Sequence, residues 1–136
     1  METRALIEKG KDGTYGIFTP DLESTIIGSG DTIEEAKADF ENSIIEMREV
    51  MDERYGTPNE LTDVAFVYEY DMASFFDYFD WINVSKASAH IGISKTLVAA
   101  YKNGRAYISE KRGAEIEAKL QEMGKELSTA RIAILV

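Results

Sequence analysis

Four cations, Lys86, Lys95, Lys102 and Arg105, fall within residues 84–105 (VSKASAHIGISKTLVAAYKNGR), a stretch without an acidic side chain. The chain around them carries a net charge of −10. A basic island in an acidic protein suits a polyanion, whose condensed counterions are released when cations replace them. Neutral polar groups interleave with the charges. Lys95 can donate to guanine O6 and N7, and Ser94 or Thr96 can reach phosphate or a base edge. Ala99 is small enough for close approach or for contact with a thymine methyl. Lys86, Lys102, Asn103 and Arg105 suit phosphate, which fixes register without reading sequence.

Other chemistries find little to work with. There is no cysteine and one histidine, His90, so disulfide, thiolate and transition-metal chemistry lack ligands. Metal-assisted phosphodiester cleavage needs several carboxylates converging on one point. The first apolar stretch, residues 3–8, offers only Glu8, and Asp12, Asp21 and Asp31 stand in turn or cap positions. No nucleophile–base pair or phosphate-cradling glycine loop stands out. The expectation is a protein without catalytic activity, cofactor or metal.

The cations need a scaffold, and the pattern supplies one. Residues 85–90 and 95–102 read as two short helices around Gly92, with Ser94 as cap of the second and Asn103-Gly104 as its stop. Ser88 is small where the helices must cross, and Ile91, Ile93, Leu97, Val98 and Tyr101 can lock them together. Residues 72–82 (MASFFDYFDWI) read as an aromatic helix that serves core packing rather than base stacking, since Asp77 and Asp80 repel phosphate. Ser109 caps a final helix striped by Ile116, Leu120, Met123 and Leu127. Gly92-Ile93-Ser94 and Asn103-Gly104-Arg105 resemble the Cro/repressor-type helix-turn-helix family. That resemblance covers residues 72–127 and implies a recognition helix, residues 95–102, lying in the major groove of an operator.

The first half has another character. Residues 3–8, 14–19, 25–28 and 63–70 read as strands, with a hairpin turn at Asp12-Gly13. A long helix starts at Thr32, where Glu35 completes capping-box spacing, and ends near Tyr55-Gly56. Its stripe is Ile33, Ala36, Phe40, Ile44, Met47 and Met51. The order is β-β-β-α-β. Residues 15–22 (YGIFTPDL) and 30–36 (GDTIEEA) resemble the N-terminal domain of HicB antitoxins, over residues 3–70. Glu23-Ser24-Thr25 stands where that family usually has Pro-Gly-Cys. The resemblance implies a ββαβ-like, reduced ribonuclease-H-like domain without nuclease activity, whose partner is a small basic RNA-cleaving toxin of the HicA type.

Charge divides along the same line. Residues 1–82 hold 6 basic and 20 acidic side chains, net −14, and residues 83–136 hold 9 and 5, net +4. The expected protein is α+β: a toxin-binding domain over 1–71, an all-α helix-turn-helix domain over 72–128, and an apolar tail over 129–136. The tail (ARIAILV from Ala130) is β-prone and is expected to pair with a second copy, giving a homodimer or higher oligomer. No apolar run is long enough to cross a bilayer, and METRALIEKGK carries no secretory apolar core, so a cytoplasmic protein without membrane contact is expected. The functional expectation is a type II antitoxin that represses its own operon. The alternative is a stand-alone regulator whose N-terminal domain senses a ligand or dimerises.

Overall fold

The computed structural model describes residues 1–135. Among them the chain is α+β, with one four-stranded mixed sheet and five helices. It forms two compact units, Met1–Phe79 and the residues from Asp80 onward. No helix among the described residues is long and apolar enough to cross a membrane.

The first unit contains β1 (Glu2–Lys9), β2 (Tyr15–Phe18), β3 (Ile27–Gly30), α1 (Ile33–Tyr55), β4 (Ala65–Tyr70) and α2 (Met72–Tyr78). Strand order is β3-β2-β1-β4, antiparallel except for the parallel β1–β4 pair. Alternation fixes which side chains meet α1. Ala5, Ile7 and Ile17 point to the helix and are buried with Ile33, Ala36 and Phe40 of α1. Phe66 and Tyr68 of β4 pack on the Phe40 ring, at centroid distances of 5.7 and 6.1 Å. The stripe expected for α1 is the one that packs, with Ile44 and Met47 partly covered. Thr32 Oγ1 accepts from the Glu35 N–H at 3.1 Å. Glu35 in turn accepts from the Asp31 N–H, one residue earlier than a capping box requires.

The third strand lies two residues beyond the expected 25–28. Thr25 and Ile26 instead belong to the return from β2, where Thr19 Oγ1 accepts from the Ile26 N–H at 2.9 Å. The strand proper carries Gly28 and Gly30 because α1 runs too close for a side chain. A Cβ on Gly28 would lie 2.5 Å from the Phe40 nitrogen, and one on Gly30 would lie 2.6 Å from the Ala36 nitrogen.

The aromatic helix also departs from expectation. It stops at Tyr78, and its contacts are with β1 and β4, so residues 72–79 belong to the first unit. Asp71 caps it, accepting from the Ser74 N–H at 2.7 Å and from the Lys9 N–H at 3.0 Å. Asp77 accepts from the Tyr15 hydroxyl at 2.5 Å and from Lys9 Nζ at 2.8 Å. Lys37 of α1 lies over the rings of Tyr68, Tyr70 and Tyr78, at 4.7, 5.2 and 4.1 Å, and donates to the Tyr70 hydroxyl. The phenylalanines pack tilted or edge-on against one another, Phe75 on Phe79 at a centroid distance of 4.8 Å, and Phe76 is buried, so these rings serve packing as the sequence implied.

This anchoring has a pH signature. Burial, then the bond and charge of Asp77, push the Tyr15 hydroxyl up to about 12. Tyr68 shifts the same way through burial and its bond to Glu41. A raised phenol contributes stability in full below the unfolded tyrosine value of about 10, and loses it as pH rises through the folded value. The denaturant midpoint of the first unit should therefore hold level from about pH 7 to 9 and fall above about pH 10. Tyr15→Phe should shallow that fall, as read by urea titrations at each pH.

The second unit contains α3 (Val84–Ile91), α4 (Lys95–Lys102) and α5 (Glu110–Thr129). Ala87, Ser88, Ile91, Ile93, Val98, Tyr101 and Ile116 are buried. Along α5 burial fades: Leu127 is exposed, and so are Ile132, Ile134 and Leu135 of the tail. Residues 130–135 form no strand, and Val136 lies outside the described residues.

Candidate nucleic-acid interface

The turn between α3 and α4 is built from three side-chain decisions. Asn83 starts α3, its Oδ1 accepting from the Lys86 N–H at 3.1 Å. Gly92 ends it in the left-handed region, φ 81° and ψ 26°, which lets two successive N–H groups return to the Ser88 carbonyl at 2.9 and 3.1 Å. Ser94 then opens α4, its Oγ accepting from the Leu97 N–H at 3.2 Å. Ile93, between the two caps, is buried and fixes the entry of the second helix. Ser88 is buried and turns its hydroxyl back onto the Ser85 carbonyl, leaving room for α4 to pass.

α4 has the bounds that the sequence implied, and its sides separate. Val98 and Tyr101 are buried, with Leu97 partly so. Lys95, Thr96 and Asn103 are exposed, and Ala99 and Lys102 are partly exposed. Steps of three, four and seven bring these five onto one face. Ser94 is exposed at the head of that face, although its oxygen is already engaged as a cap. The first-turn N–H groups of Lys95 and Thr96 have no acceptor within the helix. Asn103 and Gly104 close α4, and Gly104 (φ 71°) turns the chain so that Arg105 follows directly.

Lys86 is exposed in the first turn of α3 and Arg105 in the loop after α4. Among the described residues, no carboxylate lies within 4 Å of Lys86, Lys95, Lys102 or Arg105. Lys86, Lys95 and Arg105 are exposed, and Lys102 is partly exposed. Tyr107, not among the residues the sequence marked, stands 98% exposed two residues beyond Arg105. The available signal was its position in the short connection between the Asn103-Gly104 stop of α4 and the Ser109 cap of α5. His90 is exposed in the last turn of α3.

The carboxylates of the first unit do local work. Asp12 accepts from the Thr14 hydroxyl and N–H, and those bonds hold its carboxyl below the usual range. Asp21 takes a two-pronged bond from Arg4, at 2.9 and 3.1 Å, which lowers its pKa likewise. Among the described residues, no three His, Cys, Asp or Glu side chains are grouped to hold a metal. A shallow cavity of about 210 Å³ beside the end of α1 is lined by Arg48, Asp52, Asn59 and Thr62 among others. Its polar groups already bond locally: Asn59 to Asp52 at 2.8 Å and Arg48 to the Val64 carbonyl.

Compared with known proteins, the chain matches no family model, no curated sequence and no solved structure.

Proposed function

We propose that this chain is a HicB-type antitoxin: the second unit binds operator DNA through α4 and represses the operon, and the first unit neutralises a small basic RNA-cleaving toxin. The observation that carries the DNA-binding half is the division of α4. Its apolar side is consumed by packing, and Lys95, Thr96, Ala99, Lys102 and Asn103 share the side left to solvent. A helix of this kind, entered through a tight turn from a second helix, fits the major groove with its N-terminal residues at base edges. Lys95 reads guanine, Ser94 and Thr96 meet a base edge or phosphate, and Lys86, Lys102, Asn103 and Arg105 hold the backbone.

Support for the antitoxin half is of a different kind. The residues that carry the resemblance each have a job in the first unit. Asp21 binds Arg4, Leu22 and Ala36 are buried, Gly30 admits α1, and Thr32 caps it. The β-β-β-α-β order and the sheet order β3-β2-β1-β4 fit the reduced ribonuclease-H-like outline. The toxin itself rests on the resemblance and on the charge of −14 over residues 1–82. No catalytic role is assigned to the chain.

The test of DNA reading separates two cations. Lys95→Ala should lower the preference for promoter over random duplex by about tenfold or more, the value of a lost base contact. Lys86→Ala should weaken binding to both alike and make the slope of log affinity against log salt shallower by about one. Titrations at several salt concentrations measure both. Equal losses on the two duplexes for both variants would refute the division of roles.

A further inference from the structure

The face of the sheet turned away from α1 is unusual for a surface. Ala5, Ile7, Ile17 and Gly28 face the helix, so their neighbours Leu6, Phe18 and Ile27 point the other way. The register places those three in one row across β1, β2 and β3. Val67 of β4 joins them from beside Arg4. Leu6 and Phe18 are half-buried, while Ile27 and Val67 are 65% and 43% exposed. An open antiparallel face normally alternates to polar residues on its solvent side. This one has an apolar row at its centre.

Its border is acidic. Glu2, Glu8 and Glu69 point out on the same side of β1 and β4. Arg4, the cation there, is already paired with Asp21 and lies 3.9 Å from Glu69. An apolar centre excludes a simple hydrated cation as the occupant. An acidic rim on a unit of strongly negative charge excludes nucleic acid and anionic lipid, and it disfavours a second copy of the same face. What remains is a protein surface with an apolar centre and basic edges.

We propose that this open face, centred on Leu6, Phe18, Ile27 and Val67, is where the first unit docks a basic protein partner. The inference rests on the antitoxin reading for the partner's identity, and it adds the surface. Ile27 and Val67 form the reachable edge of the row. The glutamates steer and orient the approach and set its salt dependence.

The probe is a short basic protein encoded by a gene adjacent to this chain's own, purified as a non-cleaving variant; a neighbourhood without such a gene overturns both readings. The full chain is compared with the double variant Ile27→Lys and Val67→Lys. Both positions are exposed on the sheet, so an unchanged melting curve and unchanged promoter binding serve as folding controls. Affinity for the probe should fall at least 100-fold. Ile45→Lys adds a like charge at an exposed position of α1, on the other side of the sheet, and should change affinity less than threefold. Tight wild-type binding that survives the double variant, or that is lost with Ile45→Lys instead, overturns the docking face and leaves the antitoxin reading standing. Failure of the wild-type chain to bind the probe overturns both. A homodimer that the double variant converts to monomer also overturns the proposal, because the face would then belong to a second copy.

Discussion

Ala99→Glu is expected to reduce binding to promoter duplex by about 100-fold, the scale of one or two mismatched contacts at 1–3 kcal/mol each. Ala99 sits between Lys95 and Lys102 on the solvent side of α4, one turn from each. A carboxylate there faces the phosphates and base acceptors that the cations approach. It also neutralises the local field that brings them together. The helix should survive, because the position is partly exposed and glutamate is a good helix former. Ala99→Gln is the control: it has nearly the same size without the charge. Retained binding by the glutamine variant beside loss by the glutamate variant assigns the effect to electrostatics. Loss by both, with circular dichroism unchanged, assigns it to close approach. Retained binding by both would mean that this side of α4 does not meet DNA.

The second large effect is on stability. Gly28→Ala should cost the first unit about 3 kcal/mol, the upper end of the overpacking range. The added carbon would sit 2.5 Å from the Phe40 nitrogen and 2.6 Å from its Cα. These are backbone atoms of α1, so no rotamer change relieves the contact. Either the helix or the strand must shift, and the shift loosens Ile33, Ala36 and Phe40 together. For a unit of this size the melting temperature should drop by on the order of 15 °C. Calorimetry checks it, and promoter binding measured at low temperature should be little changed. Thermal behaviour like that of wild type would mean that the helix and strand stand further apart.

The contrast between the two units explains what sequence can and cannot show. The boundaries of α4 were legible because side chains announce both ends, Ser94 at the start and Asn103-Gly104 at the finish. The outward side of α4 was legible for the same reason, since helical period alone sorts Val98 and Tyr101 from Lys95 and Lys102. The third strand slipped because glycine lowers strand propensity. Its reason for being there, the backbone of Phe40, lies twelve residues away in another element. The aromatic helix was assigned to the wrong side of the chain's division for a similar cause. Its fasteners Lys9 and Tyr15 are 68 and 62 residues from Asp77, and no local periodicity can report such a partner. The open sheet face is not legible from local pattern, because Leu6, Phe18 and Ile27 come from three strands that only the register aligns. The adjacent Ile26 and Ile27 require only that one of the pair point outward.

The three tyrosines around Lys37 resemble, in chemistry, the aromatic boxes that capture methylated ammonium groups. Here the guest is covalently part of the host. Burial disfavours its charge, yet the Tyr70 bond and the surrounding hydroxyls outweigh that and raise its pKa. Any modification that bulks up or discharges this amine, such as acetylation, would therefore act on architecture: the peg would leave its socket, and the short helix bearing Tyr78 would lose one of its moorings.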